Sequence, residues 1–126
     1  MNRASIENKG DSRFYATTKD YAFVLDTEGQ GANPIDALLA SLCACIGHMT
    51  RDYLKSNGDA SRGFRVTAEG SMTADETKLS VIRLGIDING TGLDNARESE
   101  LLAHVERCKI RQTLKDACDV QIELQH

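Results

Sequence analysis

The sequence predicts an α+β fold with mostly antiparallel strand pairing, in the chain order β-β-α-β-β-α-α-β. Three observations carry this expectation. Short alternating segments occur in pairs around turn residues. Between the pairs, an apolar stretch opens on Asn33-Pro34, a strong helix entry. In the last third, apolar residues change to three-and-four spacing. The 126 residues suit one domain spanning 1–126, with no internal repeat, low-complexity tract or long linker.

The first region, 1–30, contains "RFYATT" and "YAFVLDT", two strands separated by Lys19-Asp20 as a hairpin. "EGQGAN" is a glycine-rich loop, and Asn33 caps a central helix running from Pro34 to about Lys55, over 34–55. Gly58 in "SNG" is its stop signal. A second strand pair, Phe64–Met72 and Leu79–Asn89, fills 64–89 with "TADET" between the strands. Its stripe of Val81, Leu84, Ile86 and Ile88 slips phase once, which predicts a bulge near Leu84-Gly85. In 94–126, "DNARESELLAHVERC" places Leu101, Leu102, Val105 and Cys108 on one helical face. A shorter helix over 110–117 follows, and "DVQIELQ" alternates like a terminal strand.

The central helix is apolar on nearly every side from Ala37 to Ile46, and only then do His48, Arg51, Asp52 and Lys55 restore a polar face. A helix apolar all round must be buried all round. One sheet of four or five strands covers only one of its faces, so a homodimer with these helices in its core is expected. The apolar run is too short to cross a bilayer, and no membrane partner is expected. "MNRASIENKGDSRFY" has no apolar core of a signal peptide, which predicts a cytoplasmic protein. The net charge of −4, with hydrophobic residues at 40% and charged residues at 27%, argues for a soluble globular chain and against a nucleic-acid partner.

Thiols in the cytosol are kept reduced, so the four cysteines are not expected to form a disulfide framework. Each can be a small apolar packing residue; Cys43 and Cys118 are expected to be that. A metal site is not expected. Cys43 and Cys45 lie about 200° apart around a helix, and no CxxC or HxxxH pattern is present. The remaining reading is a redox pair. Cys108 stands between two helices, flanked by Arg107, Lys109 and Arg111, a polar and electropositive setting. Cys45 is expected to lie deeper, protected by apolar neighbours. A reactive thiol in a greasy pocket beside a resolving thiol suits the reduction of organic peroxides. His48, three residues after Cys45 on the same face, is a base or charge partner, or a boundary residue where the helix turns polar. His104 and Glu106 are expected on a solvated face.

"GANPIDALLASLCACIG" resembles the G-x-[NST]-P-x-E-x-L-L-x-A-x-x-x-C signature of the OsmC/Ohr family of thiol-dependent peroxidases. Gly31, Pro34 and Asp36 fill the loop and helix start, and the reactive cysteine falls on Cys45. "CKIRQTL" resembles the second landmark, C-P-[IV]-x-x-x-L, with Cys108 and Leu114 matching and Lys109 standing at the proline. The resemblance implies an OsmC-like α+β fold, an antiparallel sheet with a long buried central helix in an intertwined homodimer. It also implies that Cys45 attacks a small hydrophobic peroxide and becomes a sulfenic acid, that Cys108 resolves it as a disulfide, and that a dithiol such as lipoamide restores both. No cofactor is expected.

Two departures bear on activation. The Ohr branch has Glu directly after the proline, where this chain has Ile35; its acid is Asp36, one residue later, as in the OsmC-like branch. Asp36 lies nine residues from Cys45, about 180° away around a helix and some 13 Å along it, and reads as a first-turn helix acid. The Ohr branch also uses an Arg from its N-terminal strands, for which Arg13 and Arg3 are the candidates. The expected activity is organic hydroperoxide reductase (peroxidase) in oxidative stress defence. The alternative is an OsmC-like ligand-binding or stress-associated protein without peroxidase turnover.

Overall fold

The computed structural model describes residues 1–29 and 31–125. Gln30, inside the predicted "EGQGAN" loop, and His126, the last residue of the predicted 94–126 region, lie outside the described residues. The chain forms two compact units, Met1–Ala40 and Ser41–His126.

In the first unit, β1 (Ser5–Asn8), β2 (Arg13–Thr18) and β3 (Tyr21–Asp26) form an antiparallel sheet in that order. The predicted hairpin is β2–β3, with Thr18 opposite Tyr21. Lys19 takes a φ of 45°, the left-handed conformation that two-residue hairpin loops demand. β1 was not expected: all four of its residues are exposed, so no alternation of burial marks it in the sequence. Its turn is built by Asn8, whose Nδ2 donates to the Asp11 and Arg13 carbonyls at 2.9 Å each while its Oδ1 accepts the Gly10 N–H at 3.0 Å.

The central helix α1 runs Pro34–Asn57. Asn33 caps it as expected, its Oδ1 accepting the Asp36 N–H at 2.8 Å and its carbonyl the Ala37 N–H at 2.9 Å. At the other end the Gly58 N–H donates to the Leu54 carbonyl at 3.1 Å.

The second unit holds the remainder of α1 with β4 (Arg65–Met72), β5 (Leu79–Asp87), α2 (Asn95–Val105) and α3 (Lys109–Lys115). Along α1 the buried residues are Leu42, Ile46, Thr50 and Leu54, every fourth position and therefore one face. Leu42 and Ile46 join Leu101, Val105 and Cys108 in a buried core, against which Val66, Ile82, Leu84, Ile86 and Ile88 pack. In this single chain α1 is thus covered on one face only; Ala40, Ser41 and Ala44 on its apolar stretch are exposed.

Three expectations are corrected here. The strands form a three-stranded and a separate two-stranded sheet instead of one sheet of four or five. The bulge lies at Ser80, where Ser71 pairs with Val81 but Met72 pairs with Leu79. The inner face is Ile82, Leu84, Ile86 and Ile88, every second residue without a slip, and Val81 is on the other face, 39% exposed. Finally, "DVQIELQ" has the alternation of a strand but forms none; Val120, Ile122 and Leu124 are 76%, 91% and 87% exposed. A strand exists only through a hydrogen-bonded neighbour, and no described strand offers one to this segment.

Candidate dithiol site

α1 sets the position of Cys45. It follows Leu42 by three residues and precedes Ile46 by one, so it sits at the margin of the buried stripe and is half-buried. Cys108 arrives by a different route. α2 opens on an Asp94 cap, whose Oδ1 accepts the Arg97 N–H at 2.9 Å, and presents Leu101 and Val105 to the core. Leu102, expected on that face, is 58% exposed. The chain then turns, the Cys108 N–H donating to the Val105 carbonyl at 3.0 Å. Cys108 leaves helical geometry (φ −52°, ψ 129°) and becomes the N-cap of α3. Its Sγ accepts the Arg111 N–H at 3.5 Å and its carbonyl the Gln112 N–H at 2.9 Å.

Cys45 packs against the buried core that contains Cys108, both being free thiols, and each thiol shifts the titration of the other. Burial pushes the Cys45 thiol up, but Cys108, the backbone N–H groups of Ile110 and Lys109, and the Lys109 charge outweigh it, and its pKa is lowered. Burial pushes the Cys108 thiol up, and Cys45 pushes it further; the Arg111 and Ile110 N–H groups oppose this without prevailing. The two thiols are thus moved in opposite directions, Cys45 toward the thiolate and Cys108 toward the thiol.

The structure reverses the expected depth of the two cysteines: Cys108 is the deeper one, at 0% exposure, while the Lys109 charge acts on Cys45. Cys108 is buried because a cap residue points back over the helix it starts, here into the core. Of the flanking cations, Arg107 bonds His104 Nδ1 at 2.9 Å and Arg111 folds back to the Glu106 carbonyl at 2.9 Å.

His48 is exposed; its Nε2 lies 3.3 Å from Asp52 Oδ2 and its Nδ1 3.3 Å from the Arg51 guanidinium, both on the polar face of α1. Asp36 is exposed in the first turn of α1, and Arg13 is exposed on β2 opposite Asp26, both in the first unit. Cys43 is half-buried, whereas Cys118, expected to be a packing residue, is exposed. His104 is half-buried instead of solvated, its ring 6.1 Å from that of Tyr53. Sequence reasoning missed the Lys109 and Ile110 amides. Their signal was present: the first residues after a cap carry N–H groups with no partner inside the helix.

A groove of about 430 Å³ is lined by Ile46, Leu84, Ile86, Leu101, Val105 and Arg111 among others, with Glu98 and Glu106 also in its wall; neither cysteine lines it. Among the described residues, no group of His, Cys, Asp and Glu is arranged to hold a metal ion, and no helix is long and apolar enough to cross a membrane.

Residues 27–123 match the model of a family described as OsmC-like protein. Among proteins of curated function, none matches the sequence. Solved structures share the fold. An OsmC-like protein from Mycoplasma pneumoniae superposes with a TM-score of 0.78 at 19% identity, covering 93% of this chain and 89% of that one. An organic hydroperoxide resistance protein OsmC from Legionella pneumophila gives 0.61 at 21% identity, covering 91% and 89%. The organic hydroperoxide resistance protein OhrB of Bacillus subtilis gives 0.57 at 18%, covering 99% and 98%.

Proposed function

Since the chain belongs to the OsmC-like family, its model matching residues 27–123, we propose that the protein is a thiol-dependent peroxidase that reduces organic hydroperoxides through Cys45 and Cys108. The observation that carries this reading is that Cys45 packs against the core holding Cys108, with the Cys45 thiol lowered and the Cys108 thiol raised, because the thiolate is the nucleophile in such chemistry. Solved structures with this fold include organic hydroperoxide resistance proteins, which supports the substrate class.

The steps follow from the two sulfurs. The Cys45 thiolate attacks the outer oxygen of ROOH. The O–O bond breaks, the alkoxide leaves and takes up a proton as ROH, and Cys45 becomes a sulfenic acid. Cys108 then gives up its proton and attacks the Cys45 sulfur. The S–S bond forms, and the hydroxide leaving Cys45 combines with that proton as water. A dithiol such as dihydrolipoamide returns both cysteines to thiols by exchange, two electrons having passed from it to the peroxide. Cys108 resolves the sulfenic acid before a second peroxide can oxidise it further. The groove of apolar side chains, which shares Ile46, Leu101 and Val105 with the core around Cys108, suits a hydrophobic R group. Arg13, Asp36 and His48 are kept as supporting residues only in this reading.

The working unit we propose is a homodimer. Ile35 at the start of α1 is 42% exposed in the single chain, and a second copy would cover the rest of α1. Light scattering should then give twice the 13.8 kDa of one chain; a stable monomer would contradict it.

Purified protein should consume cumene hydroperoxide in the presence of dihydrolipoamide, and Cys45→Ser should stop it; unchanged turnover by that variant would remove Cys45 from the chemistry. The groove also favours a second reading, an apolar-ligand-binding or stress-associated protein without turnover. Intact mass after one equivalent of peroxide separates the two: loss of two hydrogens means a disulfide, and no change means the second reading.

A further inference from the structure

We infer that the segment Asp119–Gln125 of one copy adds as a strand to the free edge of β5 in a second copy, where its Val120, Ile122 and Leu124 close the open side of the apolar groove. The groove runs where such a strand would lie. Its sheet wall is Leu84, Ile86 and Ile88, every second residue along β5 and its continuation, and β4 contributes nothing to it. It therefore follows the side of β5 that faces away from β4. Among the described residues β5 has β4 as its one strand neighbour, so that side is a free edge able to template another strand. The facing wall is a stripe of α2, Leu101, Leu102 and Val105, at three-and-four spacing. Leu102 is the apolar wall residue left uncovered, 58% exposed.

The segment has the pattern this place asks for. Val120, Ile122 and Leu124 alternate with Asp119, Gln121, Glu123 and Gln125, as in a strand with one buried face. Yet those three apolar residues are 76%, 91% and 87% exposed. From Val120 to Leu124 a strand spans about 13 Å, and from Leu84 to Ile88 the same, so three apolar side chains meet three.

The exit from α3 decides which copy supplies the strand. Ala117 takes a φ of 50°, and the Cys118 N–H reaches back to the Thr113 carbonyl at 3.4 Å, the left-handed turn that closes a helix. This fixes the direction in which the chain leaves, and on that course every residue from Asp119 to Gln125 is exposed. The segment thus does not cover the groove of its own chain. In a two-fold pair each copy gives one strand and receives one. The inference rests on the homodimer and on the groove as the place of the R group, and it makes that place incomplete without the partner's three side chains.

The test is amide deuterium exchange of 119–125 and of β5, followed by peptide mass across protein concentration, together with the dimer dissociation constant from light scattering. Both are measured for the parent and for Ile122→Asp, Leu102→Asp and Gln121→Asp. In the dimer both segments should exchange roughly tenfold or more slowly than in the monomer. Ile122→Asp and Leu102→Asp alter positions exposed in the single chain, so each should fold. Each should raise the dissociation constant roughly tenfold or more and remove protection from both segments; Gln121→Asp, on the polar face, should follow the parent. A dimer with 119–125 unprotected, or one indifferent to Ile122→Asp or Leu102→Asp, would overturn the inference and leave the homodimer standing. Protection independent of concentration, which reports the segment closing on its own chain, would overturn it as well. A monomer at every concentration removes both. If the expected protection is seen but no peroxide is consumed, the peroxidase reading fails and the strand exchange stands.

Discussion

The Tyr53 hydroxyl donates a 2.7 Å hydrogen bond to Glu100 Oε2 across 47 residues of sequence, joining the latter half of α1 to α2. Those two helices carry Cys45 and lead into Cys108, so this bond ties together the elements that hold the two cysteines. Partial burial and the Glu100 carboxylate push the Tyr53 phenol up to about 12, from about 10 for a free tyrosine. A raised acid contributes stability that is complete below its unfolded pKa and is lost as pH rises through the folded one. Absorbance titration at 295 nm should therefore find a tyrosine ionising near pH 12, and Glu100→Gln should bring it down toward the ordinary tyrosine value.

The two thiols should react in a fixed order. Cys45 is lowered and Cys108 raised, so as pH rises alkylation should reach Cys45 first and Cys108 only at higher pH. In stability the signs are opposite. The contribution of Cys45 is present above its unfolded pKa and fades as pH falls through the folded value; that of Cys108 fades as pH rises. Peptide mapping after brief iodoacetamide pulses across pH measures the order, and Cys108 labelled before Cys45 would contradict the assignment of the proton.

Gly58→Ala should be costly. A Cβ there would stand 2.9 Å from Leu54 Cδ2, Leu93 Cδ2 and the Thr91 carbonyl oxygen. The last is backbone and cannot swing aside as a side chain can. A loss of about 1–3 kcal/mol is expected in urea unfolding, with no change in the alkylation profile of Cys45.

Asp94→Ala removes the acceptor for the Arg97 N–H at the start of α2. The expected loss is about 1 kcal/mol, again by urea unfolding, and Asp94→Asn should recover most of it.

Local signals made much of the fold legible. Lys19-Asp20, the Asn33-Pro34 entry, the Gly58 stop and the strand pair each needed only neighbours in sequence, and each falls where expected. Legibility failed where the deciding contact is remote. β1 is strand because β2 lies beside it, and nothing in "SIEN" itself says so. "DVQIELQ" has the pattern and no neighbour. The bulge was misplaced because Val81 was read into a stripe that belongs to Ile82. For the site, the settings of Cys45 and Cys108 suggest a redox pair, and the family resemblance assigns their roles. Which thiol meets the cations could not be read at all: it depends on the cap geometry of Cys108, which turns its sulfur inward while Lys109 bears on Cys45.

The capping bond from Arg111 N–H to Cys108 Sγ gives a seven-residue helix a foundation of one chemically alterable atom. Any bond made at that sulfur, to Cys45, to an alkylating agent or to oxygen, weakens it as an acceptor and loosens the first turn of α3. The amide of Arg111 should then exchange with deuterium faster. The helix end becomes a gauge of sulfur chemistry, legible in a backbone proton and requiring no reporter group.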